Sequence, residues 1–423
     1  VKKTAQLPFS AFVFHMHPRT VNADTLRYTL SFGLGGMSAT LVLVLFGTGL
    51  LQLLSYSPHS DSAYLSIQQM YNNGNPAGFI RNCHHWAGNL LVVIPFLHLL
   101  RVFLTGALTG PRRYNWLVGL SAFLLVLLAN FTGYLMPWDQ LAYWAVTIFT
   151  SMLSYIPLVG KNLMALLRGG EEVGAATLST FYAVHVGFIP TLLLFLLVYH
   201  FWLIRKAGGL IRRAAGKVSE EKLQTIPHLL AREAATGFML LALLFMFSAF
   251  VDAPLAEQAN PGQSPNPAKA AWYFMGLQEL LLHLHPVFAV CVVPSLMLGF
   301  LAVVPFRQEA ILPPGVWFGG RKGRQVAAAS SVAGAALVVL GVILDDMLFV
   351  GAGASQAKLL LYGVIPTVFF ILVVVVHYYL LRLVWHCTKA EAMLGAVTLV
   401  LSAVTTLTVV GIWFRGPGMA LVW

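Results

Sequence analysis

The sequence predicts an all-α polytopic membrane protein: a four-helix bundle built around paired histidines, then a second lobe of about four to five transmembrane helices. Three observations lead there. Hydrophobic residues make up 58% of the 423 positions and charged residues only 10%, against roughly 25% charged in a soluble domain. Nine apolar runs are long enough to cross a bilayer. Within two of them, four histidines recur as matched pairs, His84 and His98 at a separation of 14 residues and His185 and His200 at 15.

The runs are 31–54, 82–104, 116–137, 179–204, 234–252, 286–305, 326–349, 359–384 and 391–414. The ninth rests on hydropathy alone. With loops on alternate sides, the side of the N-terminus collects 20 of the 26 Lys and Arg, Lys2, Lys3, Arg213 and Lys217 among them. Only Arg81, Lys161, Arg168, Lys269, Lys358 and Arg415 fall on the other. This asymmetry is the positive-inside pattern and predicts a cytoplasmic N-terminus. It also accounts for the net charge of +11 as topology, with no nucleic-acid partner. No cleavable signal is evident after Val1-Lys2-Lys3. The most charged stretch, 205–233, divides the chain into an N-terminal bundle (1–210), a cytoplasmic basic linker (211–233) and a C-terminal transmembrane lobe (234–423). Pro254, Pro261, Pro265 and Pro267 predict an irregular outer loop up to Ala270. No internal repeat of the kind many transporters carry is visible.

At about 100° per helical residue, either histidine spacing returns the second ring to within roughly 60° of the first, about 21–22 Å along the axis. Two such helices side by side offer two stacked His–His sites. Imidazole is an axial ligand for haem iron, and a two-His site leaves no open position, which favours electron transfer over oxygen chemistry. The first four helices are therefore read as a haem-binding bundle. Cys83, Cys291 and Cys387 form no Cys-x-x-Cys-His, so the haems are expected to be non-covalent, b-type groups. Gly35 and Gly49 on the first span, and Gly119 and Gly133 on the third, repeat the 14-residue period. Glycine gives a porphyrin room to approach the backbone; the alternative is close helix packing by small residues. Arg81 and Arg101 flank the first His pair at three residues on either side, placed to pair with haem propionates or to serve as interfacial anchors.

Several stretches resemble the cytochrome b/b6 family, the membrane core of quinol:cytochrome c reductases. They are Ile80-Arg81-Asn82-Cys83-His84-His85-Trp86, His98 through Gly106, Phe131 through Gln140, Leu167-Arg168-Gly169-Gly170, Phe181 through His185, and His200 through Lys206. The family pattern places the ligand two residues before Trp86, at His84 and not at His85. The resemblance implies two b haems, an outer one held by His84 and His185 and an inner one held by His98 and His200. It further implies an outer quinol site between Tyr134–Gln140 and Trp272–Glu279. Tyr134, Tyr273 and Glu279 are its candidate catalytic residues, and Pro137, Trp138 and Trp272 its candidate lining. Arg27, Arg205 and Lys206 are candidates for an inner quinone site. Quinol, menaquinol or a related compound, would be oxidised at the outer face. Electrons would pass through both haems to the inner quinone, coupled to proton translocation across a bacterial or other energy-transducing inner membrane. Expected partners are a Rieske-type iron–sulfur protein, a c-type cytochrome and a second copy of the chain.

Three positions depart from the family. Its outer-site Pro-Glu-Trp-Tyr motif reads Ala270-Ala271-Trp272-Tyr273 here, without the carboxylate that accepts a quinol proton. Glu279, as a part-buried carboxylate with a raised pKa, is the expected replacement. Gly33 stands where a photosynthetic relative has a haem-attaching cysteine, so no covalent third haem is expected. Ala145 stands where many members have glycine. The missing glutamate leaves open a second reading, a haem-bearing electron conduit anchoring another respiratory complex without quinol bifurcation.

Overall fold

The computed structural model describes residues 16–72, 75–108, 110–212, 221–307, 309, 311–348 and 359–422. Lys2, Lys3, Arg213, Lys217 and Lys358, which entered the charge asymmetry, lie outside the described residues, as do residues 213–220 of the linker.

Besides short helical turns such as Tyr28–Ser31 and Ala63–Gln69, the described helices are α1 (Leu34–Gln52), α2 (Pro76–Leu104), α3 (Arg112–Tyr134), α4 (Gln140–Leu153), α5 (Gly160–Arg168), α6 (Ala175–Lys206), α7 (Thr225–Phe250), α8 (Met275–His283), α9 (Phe288–Phe306), α10 (Arg321–Leu348), α11 (Leu360–Leu383) and α12 (Lys389–Trp413). All but α4, α5 and α8 are long and apolar enough to span a membrane, nine among the described residues. These nine coincide with the apolar runs. Their starts carry local signals. Asn75 accepts from Ala77 N ahead of Pro76, Asp139 caps α4 through Ala142 N, and Thr388 with Glu391 closes a capping box on α12.

Prolines shape three spans. The π-helical turns Val184–Phe188, Phe288–Val292 and Leu360–Val364 each precede Pro190, Pro294 or Pro366 by two residues. Proline lacks an N–H and its ring clashes with the carbonyl four residues back; widening the turn relieves both. In α6 the wide turn absorbs one extra residue just after His185. The 15-residue spacing to His200 then rotates like the 14-residue spacing in α2, to about 40° short of a full number of turns.

The main buried cluster draws Leu34 and Leu41 from α1, Leu91 from α2, Val126 from α3, Leu193 from α6, and Leu240 and Leu244 from α7. Thus α7, which the sequence assigns to the C-terminal lobe, packs on α1 and α2 and completes the core of the bundle. In the second lobe α12 contacts α8, α10 and α11. It has the largest buried share of the nine spans, 44%, so the span supported only by hydropathy is the centre of its lobe.

Tie points sort the loops between two ends. At one end Tyr56 Oη donates to Met136 O, Tyr64 Oη to Ala256 O, and Arg81 to Ala253 O and Pro254 O. At the other, Arg112 donates to Ala207 O and Gly209 O, Trp317 Nε1 to Thr29 O, and Arg232 to Leu26 O. These contacts match the alternation expected of the loops. At this second end, called inner after the expected orientation as the first is called outer, the linker is not wholly irregular: β1 (Thr20–Asn22) pairs antiparallel with β2 (Lys222–Gln224), Val21 opposite Leu223.

Candidate haem and quinone sites

The four histidines meet in the expected pairs. His84 on α2 faces His185 on α6, ring centres 6.2 Å apart, and His98 faces His200 at 6.5 Å. A metal held by two facing imidazole nitrogens at about 2 Å, each ring centre roughly 1 Å further out, needs a separation of about 6 Å. Both pairs fit. Thr48 Oγ1 bonds His84 Nδ1 at 2.9 Å. Thr132 Oγ1 and Ala129 O lie 3.1 and 3.0 Å from His185 Nδ1. These partners on Nδ1 leave Nε2 as the ligating nitrogen and fix the rings. Each facing pair offers two nitrogens, the number of axial ligands that a six-coordinate porphyrin iron takes.

Each glycine of the repeated pairs lies against one of these rings. A Cβ would stand 3.3 Å from His98 Cε1 at Gly35, 3.3 Å from His84 Cε1 at Gly49, 3.4 Å from His200 Cε1 at Gly119, and 2.6 Å from His185 Cε1 at Gly133. The clearance expected for a porphyrin is, at these positions, clearance for the imidazoles themselves. His85 turns away, against Trp86 and Asn89.

Arg101 is buried; its Nε donates to Leu30 O, and its Nη2 has no protein partner. A buried, unpaired guanidinium nitrogen beside the inner pair suits a propionate carboxylate. Arg81 is committed differently. Nη1 donates to Tyr71 Oη and Ala253 O, and Nη2 to Pro254 O, so most of its fork clamps the outer loop to α2 and little is left for a propionate.

At the outer end the two predicted segments do come together. The turn Trp272–Phe274 sets Phe274 against Phe131 of α3 and Phe149 of α4, with ring centres 5.7 and 5.3 Å apart. Trp272 Nε1 donates to Asn89 Oδ1. Burial, with the neighbouring Tyr134 phenol, pushes the Tyr273 hydroxyl well above its ordinary pKa. Trp138 is not an open lining residue: it is buried edge-on to Tyr143, with φ +51°. Pro137 precedes it, half-buried. A cavity of about 620 Å³ lies between the 154–162 segment and His285, Val287 and Leu359, and none of the predicted quinol-site residues lines it.

Glu279 departs from expectation. It is fully buried, yet its carboxyl is held below the ordinary range. Burial alone would raise it, but hydrogen bonds from His283 and Arg415 and the Arg415 charge outweigh burial. The premise of a raised pKa at Glu279 is therefore corrected. The outer-end carboxyl that burial does push up is that of Asp139, despite the N–H groups of Ala142 and Ala256 that it accepts. Sequence reading missed Asp139, although its position directly after Pro137-Trp138 was the available signal.

At the inner end Arg27 is exposed and pairs with Asp24 at 3.5 Å. Arg205 and Lys206 are exposed where α6 ends, Lys206 over the Trp202 ring. His17 and Glu233 stand 3.8 Å apart at that end, and no local motif marked them. Gly33, in the left-handed region, packs on Thr236.

Comparison with known proteins agrees with this geometry. Residues 22–208 match the family model described as Cytochrome b/b6/petB. Cytochrome b6 of Synechocystis sp. (strain ATCC 27184 / PCC 6803 / Kazusa) is 40% identical over 175 residues, 41% of this chain and 79% of the relative. Cytochrome b6 of Cyanidium caldarium is 40% identical over 174 residues, 41% of this chain and 81% of the relative. A solved structure titled "Hyperthermophilic respiratory Complex III" superposes with a TM-score of 0.66 at 20% identity, over 95% of both chains, a likeness of fold.

Proposed function

Because the chain belongs to the cytochrome b/b6 family, we propose that it is the di-haem membrane subunit of a quinol:cytochrome c reductase-like complex. The observation that carries this reading is the pair of facing-imidazole sites at 6.2 and 6.5 Å, stacked about 21 Å apart along two helices. Bound there, two non-covalent b haems supply one-electron carriers between the two faces of the membrane. Everything else is the work of this chain's own side chains.

His84 and His185 would hold the outer group and His98 and His200 the inner one; Thr48 orients the His84 ring, and Thr132 and Ala129 O orient that of His185. Arg101 neutralises a propionate at the inner end. Quinol, a menaquinol or related compound, binds at the outer end by the aromatic wall of Phe131, Tyr134, Phe149, Trp272 and Tyr273. The wall excludes water and the tyrosine hydroxyls donate hydrogen bonds to the quinol oxygens. Asp139, its carboxyl raised by burial, is the better-placed base for a quinol proton than Glu279. Quinone reduction at the inner end draws protons through the His17–Glu233 pair, with Arg27, Arg205 and Lys206 as a basic approach. Oxidation outside and reduction inside together move charge across the membrane. A Rieske-type iron–sulfur protein and a c-type cytochrome receive the other electron, the complex is a dimer, and the N-terminus faces the cytoplasm.

The absent motif glutamate, with Glu279 ion-paired, favours a second reading as an electron conduit without bifurcation. Purification of the intact complex decides. Two b haems per chain, and outer-haem reduction by a naphthoquinol when the inner site is inhibited, support the first reading. One haem or none rejects both.

A further inference from the structure

Five charged side chains meet inside the second lobe, far from both histidine pairs in sequence. Glu279 comes from α8, His283 from the end of α8, Asp345 and Asp346 from α10, and Arg415 from the residues just past α12. Arg415 Nη2 lies 2.5 Å from Glu279 Oε1, and its Nε lies 3.0 and 3.1 Å from the two carboxylate oxygens. Nη1 reaches Asp346 Oδ2 at 3.0 Å and Met419 O at 3.1 Å. His283 stands between Glu279 at 3.1 Å and Asp345 at 2.6 Å. The Arg415 and Glu279 side chains are 2% and 0% exposed. A two-pronged guanidinium–carboxylate contact of this kind fixes geometry as well as charge.

The rest of the outer segment is fastened to the same place. Lys269 Nζ donates to Ile412 O, and Gly418 N to Asn266 Oδ1. Met275, the first residue of α8, packs on Gly411, and Gly276 on Thr408. Gln278 holds Ala268 O and Ala270 N. The turn bearing Trp272 and Tyr273 runs directly into this bolted helix.

We propose that Arg415 is a positioning residue for the outer quinol site: by gripping Glu279 from the end of α12 it fixes α8, and with it the wall formed by Trp272, Tyr273 and Phe274 against Phe131 and Phe149. The ninth span is thereby a working part of the outer site. This rests on the outer end being where quinol binds. Glu279 is the anchor point of α8 and stays ionised, so proton acceptance falls to another group.

The test uses the intact complex carrying Arg415→Gln, and a second variant in which Glu279→Gln accompanies it so that no charge is left buried alone. A short-chain naphthoquinol is the substrate. Arg415→Gln raises KM about tenfold with kcat changed less than about twofold, because ground-state placement is lost and the chemistry is not. The double variant also lacks the grip, so its KM stays raised although no charge is left buried alone; recovery of the parent KM there would overturn the proposal, since only a stranded carboxylate would then have been at fault. Both keep two haems. Backbone hydrogen exchange of residues 272–283 accelerates in both variants, whether or not quinol is the substrate. If the parent complex fails to oxidise the naphthoquinol, the functional reading falls while the exchange result still judges the clamp. Unchanged KM and exchange in Arg415→Gln overturn the proposal. Loss of both haems in both variants also overturns it, since Arg415 would then hold the whole fold together and not the outer wall.

Discussion

Gly133 and His185 stand so close that a single methyl group does not fit between them: a Cβ at position 133 would lie 2.6 Å from the ring's Cε1. The contact comes from the interior of one span against the wide turn of another, where neither backbone can retreat easily. Gly133→Ala is expected to push His185 off its axis and remove about half of the b-type absorbance, the outer haem's share of a two-haem bundle. Gly119→Ala meets His200 at 3.4 Å, an ordinary contact, and is expected to keep both haems. Haem-to-protein ratios of the two variants check this directly.

Arg101 governs the inner site through charge. Its Nη2 is buried without a protein partner, so Arg101→Gln removes a cation from beside the inner pair. Reduction there becomes harder. A loss of 1.4 kcal/mol corresponds to about 59 mV for one electron, and a fall of that order in the inner midpoint is expected. The outer midpoint stays where it was. Redox titration of the two bands separates them.

Arg81 acts on structure. Three hydrogen bonds from a buried guanidinium join α2 to residues 253–254 and to Tyr71. Arg81→Ala leaves two carbonyls unpaired, at a cost of about 2–3 kcal/mol. Lysine is a poor substitute, because a single ammonium cannot reach both carbonyls in the same geometry. Faster hydrogen exchange across 252–260 in both variants is the expected result.

The ion cluster around Glu279 makes stability depend on pH in two separate windows. The His283 pKa is raised above 6.5: burial opposes this, but its bonds to Glu279 and Asp345 prevail. Its contribution is therefore complete below 6.5 and is lost as pH climbs through the raised value. The groups facing it are Glu279, Asp345 and, at 3.3 Å, Arg415. The Glu279 pKa is lowered from 4.5; its contribution is complete above 4.5 and is lost as pH falls through the lowered value. Thermal unfolding in detergent should show a decline as pH falls through the lowered Glu279 value and another as it climbs through the raised His283 value, and His283→Gln should abolish the upper one.

Local signals in the sequence were enough to find the spans and the histidines that face one another. Hydropathy over about 20 residues reports burial in a bilayer, and the 14- and 15-residue spacings place His84, His98, His185 and His200 on shared faces. What escaped was long-range. Arg415 and Glu279 are 136 residues apart, and nothing near either one announces the other. The docking of α7 on α1 and α2 depends on shape, since Leu240 and Leu244 look like any lipid-facing leucines. Hydropathy likewise cannot say that α12 lies at the middle of its lobe, because a lipid-facing and a protein-facing apolar helix read alike. The lowered carboxyl of Glu279 was hidden for a related reason: a carboxyl's pKa is set by its partners, which only the fold supplies.

The widened turn at Val184–Phe188 gives α6 a built-in tolerance to length. Losing one residue there would let the helix relax to ordinary pitch with both imidazoles still pointing the same way. The frame therefore withstands the loss of a single residue at that point. Lineages differing by one residue in this interval could share one unaltered pigment scaffold.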